Sequence, residues 1–321
     1  MPTDSPAFAR ATLILAAVLW SAGSFFTRVL TAPTAFHFNE PALTPIQIAF
    51  WRALFAGIFL IPLVRRSRFR FRPSMLGMVV CFGVMSGLYL SALGYGNAAN
   101  AILLQNTAPV WVFLIGVYVL GHRAERGAGE ATALAMVGAL VIVLGNWPWN
   151  RPPEEQARDI PVLLMGAGSG LTYAGVVLFL GHLKGECSAG LMVLNLLGSA
   201  AGIATVVWIR FGWDAFELWF LAPSPRQLLV LAVFGVFQMA LPYWLFSRSL
   251  RSVTPQEAGI ITLLEPVLNP IWAYLVAPER ETPTIWTIAG GGILLGALAW
   301  KYVPRRGVNT PDSSRQSRCR L

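Results

Sequence analysis

A chain of 321 residues in which 55% are apolar and only 12% charged cannot build the surface of an ordinary soluble domain, where roughly 25% of residues are charged. The solvent it implies is a bilayer. Its net charge of +9 sits in short segments between apolar runs, where it orients membrane spans, so composition gives no support to a nucleic-acid-binding role.

Ten apolar runs, each suited to cross about 30 Å of hydrocarbon as a helix, are expected at 9–30, 43–64, 74–95, 98–120, 130–145, 160–182, 188–209, 228–250, 254–277 and 283–303. The first continues past WSAG at 20–23 without an Ala-x-Ala cleavage site, so it reads as a retained span, with a cleaved signal as the alternative. With the N-terminus in the cytoplasm, the inner segments collect Arg10, the run RRSRFRFR at 65–72, Arg123, Arg126, Lys184, Arg248, Arg251 and the tail. That asymmetry predicts a multi-pass protein of the cell membrane with both termini cytoplasmic. The tail at 304–321 is basic, Ser-rich and aperiodic. It is expected to be disordered and to meet anionic headgroups.

Cys81, Cys187 and Cys319 are odd in number, one within a span and two in inner segments, and predict no structural disulfide. His37, His122 and His182 fall in or beside loops without metal-ligand spacing, and no catalytic triad, CxxC or phosphate-loop pattern occurs. No cofactor is expected.

The two halves repeat. An offset of 157 residues sets AILLQNTAPVWVFLIGVYVLGHR at 101–123 over AGIITLLEPVLNPIWAYLVAPER at 258–280, bringing Pro109 to Pro266 and Arg123 to Arg280. A weaker match sets LWSAG at 19 over LTYAG at 171. The organisation expected is a first five-helix unit at 9–146, a linker at 147–159, a second unit at 160–303 and the tail. Five is odd, so the second unit enters the membrane from the opposite side. The fold class is therefore an all-α membrane protein of ten transmembrane helices in two inverted-topology repeats.

In these features the sequence resembles the drug/metabolite transporter superfamily, EamA type. Three stretches carry the resemblance: LWSAGSF in the first span, FWRALFAGIFLIPL in the second, and LLEPVLNPIWAYLVAPERET followed by the Gly-rich GGGILLGALAW. It covers roughly 9–303, and it departs at His122, where GHR stands in place of an acidic residue and implies an altered helix-end contact. Relatives export or exchange amino acids, other metabolites or drugs, so the resemblance implies a transporter without naming its cargo. It also implies a structural role for Arg52, because a similarly placed Arg occurs in relatives of differing cargo.

Glu265 lies about 16 Å and Arg52 about 14 Å into their spans at 1.5 Å per residue. A charge at that depth costs about 2.5–3.5 kcal/mol on insertion scales, so neither should face lipid. Thr262, Glu265, Asn269 and Trp272, spaced i, i+3, i+7 and i+10, form one helical stripe expected to line the interior. Pro266 and Pro270 leave the carbonyls of Thr262 and Pro266 without donors, and Pro109 does the same for Gln105, which aligns with Thr262. An acceptor-rich cavity around one carboxylate suits a substrate ammonium or a proton. Direct pairing of Arg52 with Glu265 would make the two structural, and separation would free Glu265 for coupling; sequence leaves both open. Trp20, Asn106 and Tyr173 join the candidate binding set, with Trp51, Tyr89, Trp111, Asn195, Gln238, Tyr243 and Trp244 as further polar or aromatic span residues. Gly290, Gly291, Gly292 and Gly296 lie in an apolar span without a nearby lysine, which favours close helix packing over phosphate binding.

The function expected is secondary transport of a small polar or amphipathic metabolite, in the export direction, with a proton or an exchanged solute as coupling partner and lipids as surroundings. A membrane enzyme on lipid-linked substrates is the alternative, for which the loops are poor in acids and histidines. A non-transporting receptor or scaffold is the third.

Overall fold

The computed structural model describes residues 6–34, 37–64, 71–122, 127–183, 186, 188–249, 252–253 and 255–302. Every regular element among them is helical. Nine helices have the length and composition to cross a membrane: α1 (Ala7–Thr31), α2 (Pro45–Leu63), α3 (Ser74–Tyr95), α4 (Ala98–Val119), α5 (Ala128–Gly145), α6 (Pro153–His182), α7 (Ala189–Phe211), α8 (Pro225–Ser249) and α9 (Glu257–Val276). A shorter apolar helix, α10 (Ile285–Trp300), completes ten. The expected inner charges at 65, 66, 68, 70, 123, 126, 184 and 251, the tail, and Cys187 and Cys319 lie outside the described residues.

Two helices start with the same chemistry. Thr44 caps α2 and Ser224 caps α8, each in a reciprocal box with a glutamine three residues on and a proline at the first position. The two glutamines also tie loops together: Gln47 Nε2 donates to the carbonyl of Trp219 at 2.7 Å, and Gln227 Nε2 donates to those of Phe38 and Pro41 at 2.9 and 2.8 Å. Trp219 belongs to a short helix, Trp213–Leu221, which the sequence reading leaves as loop. The start of α6 also differs from the expected 160. Pro153 opens the helix, and Glu154 and Glu155 in its first turn favour the positive end of the helix dipole, so half of the expected linker is helical.

The halves interlock. α1 packs against α8 and α9, and α6 against α3 and α4; α2 packs against α7 and α8, and α7 against α2 and α3; α4 meets α9 and α5 meets α10. Exchanging the first five helices for the second five carries each of these pairings onto another or onto itself. This is the arrangement that two inverted repeats produce.

α4 and α9 break at matching places. One segment ends at Gln105 and the next begins at Ala108; in the second half the corresponding ends are Thr262 and Leu264. Pro109 and Pro266 therefore fall in the first turn of a new segment, where a missing N–H costs no hydrogen bond. Pro270, expected as a further break, lies inside the continuous segment Leu264–Val276. α1 is interrupted as well, at Ala22, and α8 carries a π turn over Gly235–Ala240.

The glycine reading holds at two positions and fails at two. A Cβ on Gly138 or on Gly290 would lie 2.6 Å from the other's carbonyl oxygen, so α5 and α10 touch backbone to backbone, and Gly291 would meet Leu103. Gly292 and Gly296 have no neighbouring atom within 4 Å of such a Cβ, so packing does not explain them.

Candidate functional site

The π turn of α8 widens the helix by one residue and turns Gln238 inward, beside a backbone contact in which Gly235 lies against the Arg52 carbonyl. Arg52, 3% exposed, donates to Gln238 Oε1 at 3.2 Å and to Ser86 Oγ at 3.0 Å, with its guanidinium 5.3 Å from the centre of the Phe234 ring. Gln238 Nε2 passes the chain on to the carbonyl of Trp20 at 3.1 Å, beside the interruption in α1. The Arg52 Nε is buried without a hydrogen-bond partner among the described residues.

α9 supplies the other side. Asn269 is fully buried; its Nδ2 donates to the Tyr89 hydroxyl at 3.3 Å and its carbonyl accepts from Ser24 Oγ. Its Oδ1 is buried and without a partner. One turn further, Trp272 Nε1 donates to Ser21 Oγ at 2.8 Å. The ring of Trp20 meets Tyr243 edge-on at 5.1 Å and Phe246 at 5.3 Å.

Glu265 makes no hydrogen bond and no ion pair among the described residues, and Arg52 makes no ion pair. The two side chains are therefore not bonded to each other. The Gln238 and Asn269 side chains meet beside Gly23 of α1, where an added Cβ would lie 3.2 Å from Gln238 Nε2 and 3.9 Å from Asn269 Nδ2. A cation, a phenol and two primary amides, one with an unused acceptor, thus meet between α1, α2, α3, α8 and α9, with Glu265 one turn before Asn269 on α9. Such a set can hold a solute with groups of either sign, or pass a proton.

The other expected residues stand elsewhere or act locally. Gln105 and Thr107 border the break in α4, where Gly170 of α6 lets the helices close in: a Cβ there would lie 2.6 Å from the Leu104 carbonyl and 3.2 Å from that of Gln105. Asn106 turns its amide back to the carbonyl of Ile102 at 2.8 Å, and Thr262 bonds the carbonyl of Gly259 at 3.0 Å. Each satisfies its own helix end. Tyr173 is 37% exposed on α6. The break at Leu263 separates Thr262 from the stripe, so the interior face is carried by Asn269 and Trp272 with Glu265 at its edge.

Two charged residues escaped the sequence reading. Arg28 in α1 and Glu281 after α9 form a buried ion pair; Arg28 also donates to the carbonyls of Gly94 and Gly96, and Glu281 Oε2 accepts from the Ala98 N–H at 2.7 Å. Arg280 adds hydrogen bonds to the carbonyls of Gly94 and Tyr95 at 3.1 and 3.2 Å. The PERE segment therefore grips the turn between α3 and α4. A charge near the end of an apolar run reads as interfacial, which is why Arg28 gave no signal.

The model of the EamA-like transporter family matches residues 8–144 and 160–302, one match per half. The chain belongs to that family. An uncharacterized transporter of Archaeoglobus fulgidus is 25% identical over 296 residues, 92% of this chain and 97% of its own. The pseudopaline exporter CntI of Pseudomonas aeruginosa is 24% identical over 259 residues, 79% of this chain and 85% of its own. A solved crystal structure aligns with a TM-score of 0.60 at 16% identity, covering 94% of this chain and all of that one, which supports the fold alone. Family membership makes this a membrane transporter by kind. Both relatives carry transporter names, and this chain matches them over most of their length.

Proposed function

We propose that this EamA-family protein exports a small polar or amphipathic metabolite by alternating access, the two halves rocking around a midplane site made by Arg52, Glu265, Asn269, Tyr89 and Trp20. One observation carries the reading: the buried Arg52 is held by the neutral Gln238 and Ser86 and not by Glu265, while Gln238 and Asn269 both approach Gly23 of α1 and the Asn269 Oδ1 is left without a partner. A structural pair would have closed on itself, because an unpaired buried charge is expensive. The relative named as an exporter supports the outward direction. The chain carries no phosphate-loop motif, which supports a gradient or an exchanged solute as the energy source. Glu265 is the group that would carry a coupled proton.

The test is flux in proteoliposomes loaded in turn with amino acids, polyamines, organic acids and cationic drugs, with and without an imposed pH gradient. Wild-type protein is expected to move one class faster with the gradient, and Glu265→Gln to lose that dependence. Gradient-driven flux by Glu265→Gln at the wild-type rate removes proton coupling through this residue. Absence of flux for every class by wild type removes the transport reading of the site.

A further inference from the structure

At the end of the bundle where α3, α5 and α9 finish, a recess of about 290 Å³ opens between the α3–α4 turn, the segment joining α5 to α6, and the segment joining α9 to α10. Both halves line it, and it shares no residue with the midplane site. Its floor is a closed polar network. Thr287, 2% exposed, donates to Asn100 Oδ1 at 2.7 Å, and Asn146 bonds both Thr287 and Thr284, at 3.1 and 2.9 Å.

The rim is cationic. Arg151 and Arg280 line the recess, and a second hollow sharing Tyr95, Asp159, Val162 and Arg280 adds Arg158. Asp159 lies between two of these guanidiniums, 2.7 Å from Arg151 and 3.0 Å from Arg158, and Glu155 is 3.8 Å from Arg151. Arg280 bonds two carbonyls through one nitrogen. Three guanidiniums thus face two carboxylates, and each has more N–H groups than these contacts engage.

We propose that this recess and the adjoining hollow form a second binding site, for a small organic anion, its carboxylate or phosphate held by Arg151 and Arg280 of the recess and Arg158 of the hollow, above the asparagine and threonine floor. Planar guanidinium forks match both anions. The volume is close to the lower end of small-molecule sites, about 300 Å³. A free metabolite and a lipid headgroup present the same anionic group, and the test separates them.

Full-length protein in nanodiscs of phosphatidylcholine is titrated calorimetrically with citrate, glycerol phosphate and inorganic phosphate at fixed salt, then again in discs containing phosphatidylglycerol. At least one soluble anion is expected to bind wild type and Glu265→Gln alike. The exposed pair of changes Arg151→Gln and Arg158→Gln should weaken binding about tenfold or more, as loss of a charged hydrogen bond implies, and Asp159→Asn should tighten it, an effect that misfolding does not imitate. If no soluble anion binds but phosphatidylglycerol raises the melting temperature of wild type and not of the double variant, the anion is a headgroup. Equal affinity in wild type and double variant, loss of binding in Glu265→Gln, or no response to any anion or to phosphatidylglycerol overturns the proposal.

Discussion

Arg28 and Glu281 form an ion pair with side chains 0% and 1% exposed, joining the end of α1 to the segment after α9. Both partners are further held by backbone groups of the α3–α4 turn, Gly94, Gly96 and Ala98. Four elements meet at this one contact.

Removing either partner should cost about 3–5 kcal/mol, because the other charge is left buried and alone. Arg28→Met and Glu281→Gln are each expected to lower the melting temperature of the detergent-solubilised protein strongly, and the double change to cost less than the sum. Additive losses in a double-mutant cycle would show that the two side chains do not interact.

Arg52 holds Gln238 and Ser86 from two nitrogens of one planar group. Lysine keeps the charge but loses the fork. Arg52→Lys is expected to remain folded by circular dichroism while losing about tenfold or more in transport rate, the effect of one charged hydrogen bond. Full activity in this variant would assign the site no need for that geometry.

Gly290 and Gly292 are two residues apart and should respond oppositely. Gly290→Ala forces a methyl to within 2.6 Å of the Gly138 carbonyl, and overpacking of this kind costs about 1–3 kcal/mol. Gly292→Ala enters open space in a helix, where alanine is favoured by about 1 kcal/mol. Thermal unfolding of the two variants side by side decides it, and a shift of the same sign in both would contradict the α5–α10 contact.

At Pro266, alanine supplies an N–H that the carbonyl of Thr262 can accept if α9 runs on through Leu263. Pro266→Ala is expected to hold or raise stability while slowing transport. Unchanged flux would separate the break in α9 from the working cycle.

Long apolar runs made the ten helices legible, and the alignment of Pro109 with Pro266 made the repeat legible. That Arg52 and Glu265 fall within apolar spans was legible from the same runs. Their separation was not, since it depends on Gln238 reaching inward from a π turn that no residue pattern announces. Asn106 and Thr262 show a related effect: a polar side chain beside a helix break bonds its own backbone. Arg28 and Glu281 lie 253 residues apart and meet only through the packing of α1 against α9.

α1 and α9 are also joined at their other ends, where Arg10 and Glu257 bond at 2.5 Å with 54% and 34% of their side chains exposed. An exposed pair is worth about 0–1 kcal/mol and weakens with salt, whereas separating the charges at the opposite end strands both away from water. The helix pair is thus riveted on one side and buttoned on the other. Of the two fastenings, the Arg10–Glu257 end therefore parts at the lower free-energy cost.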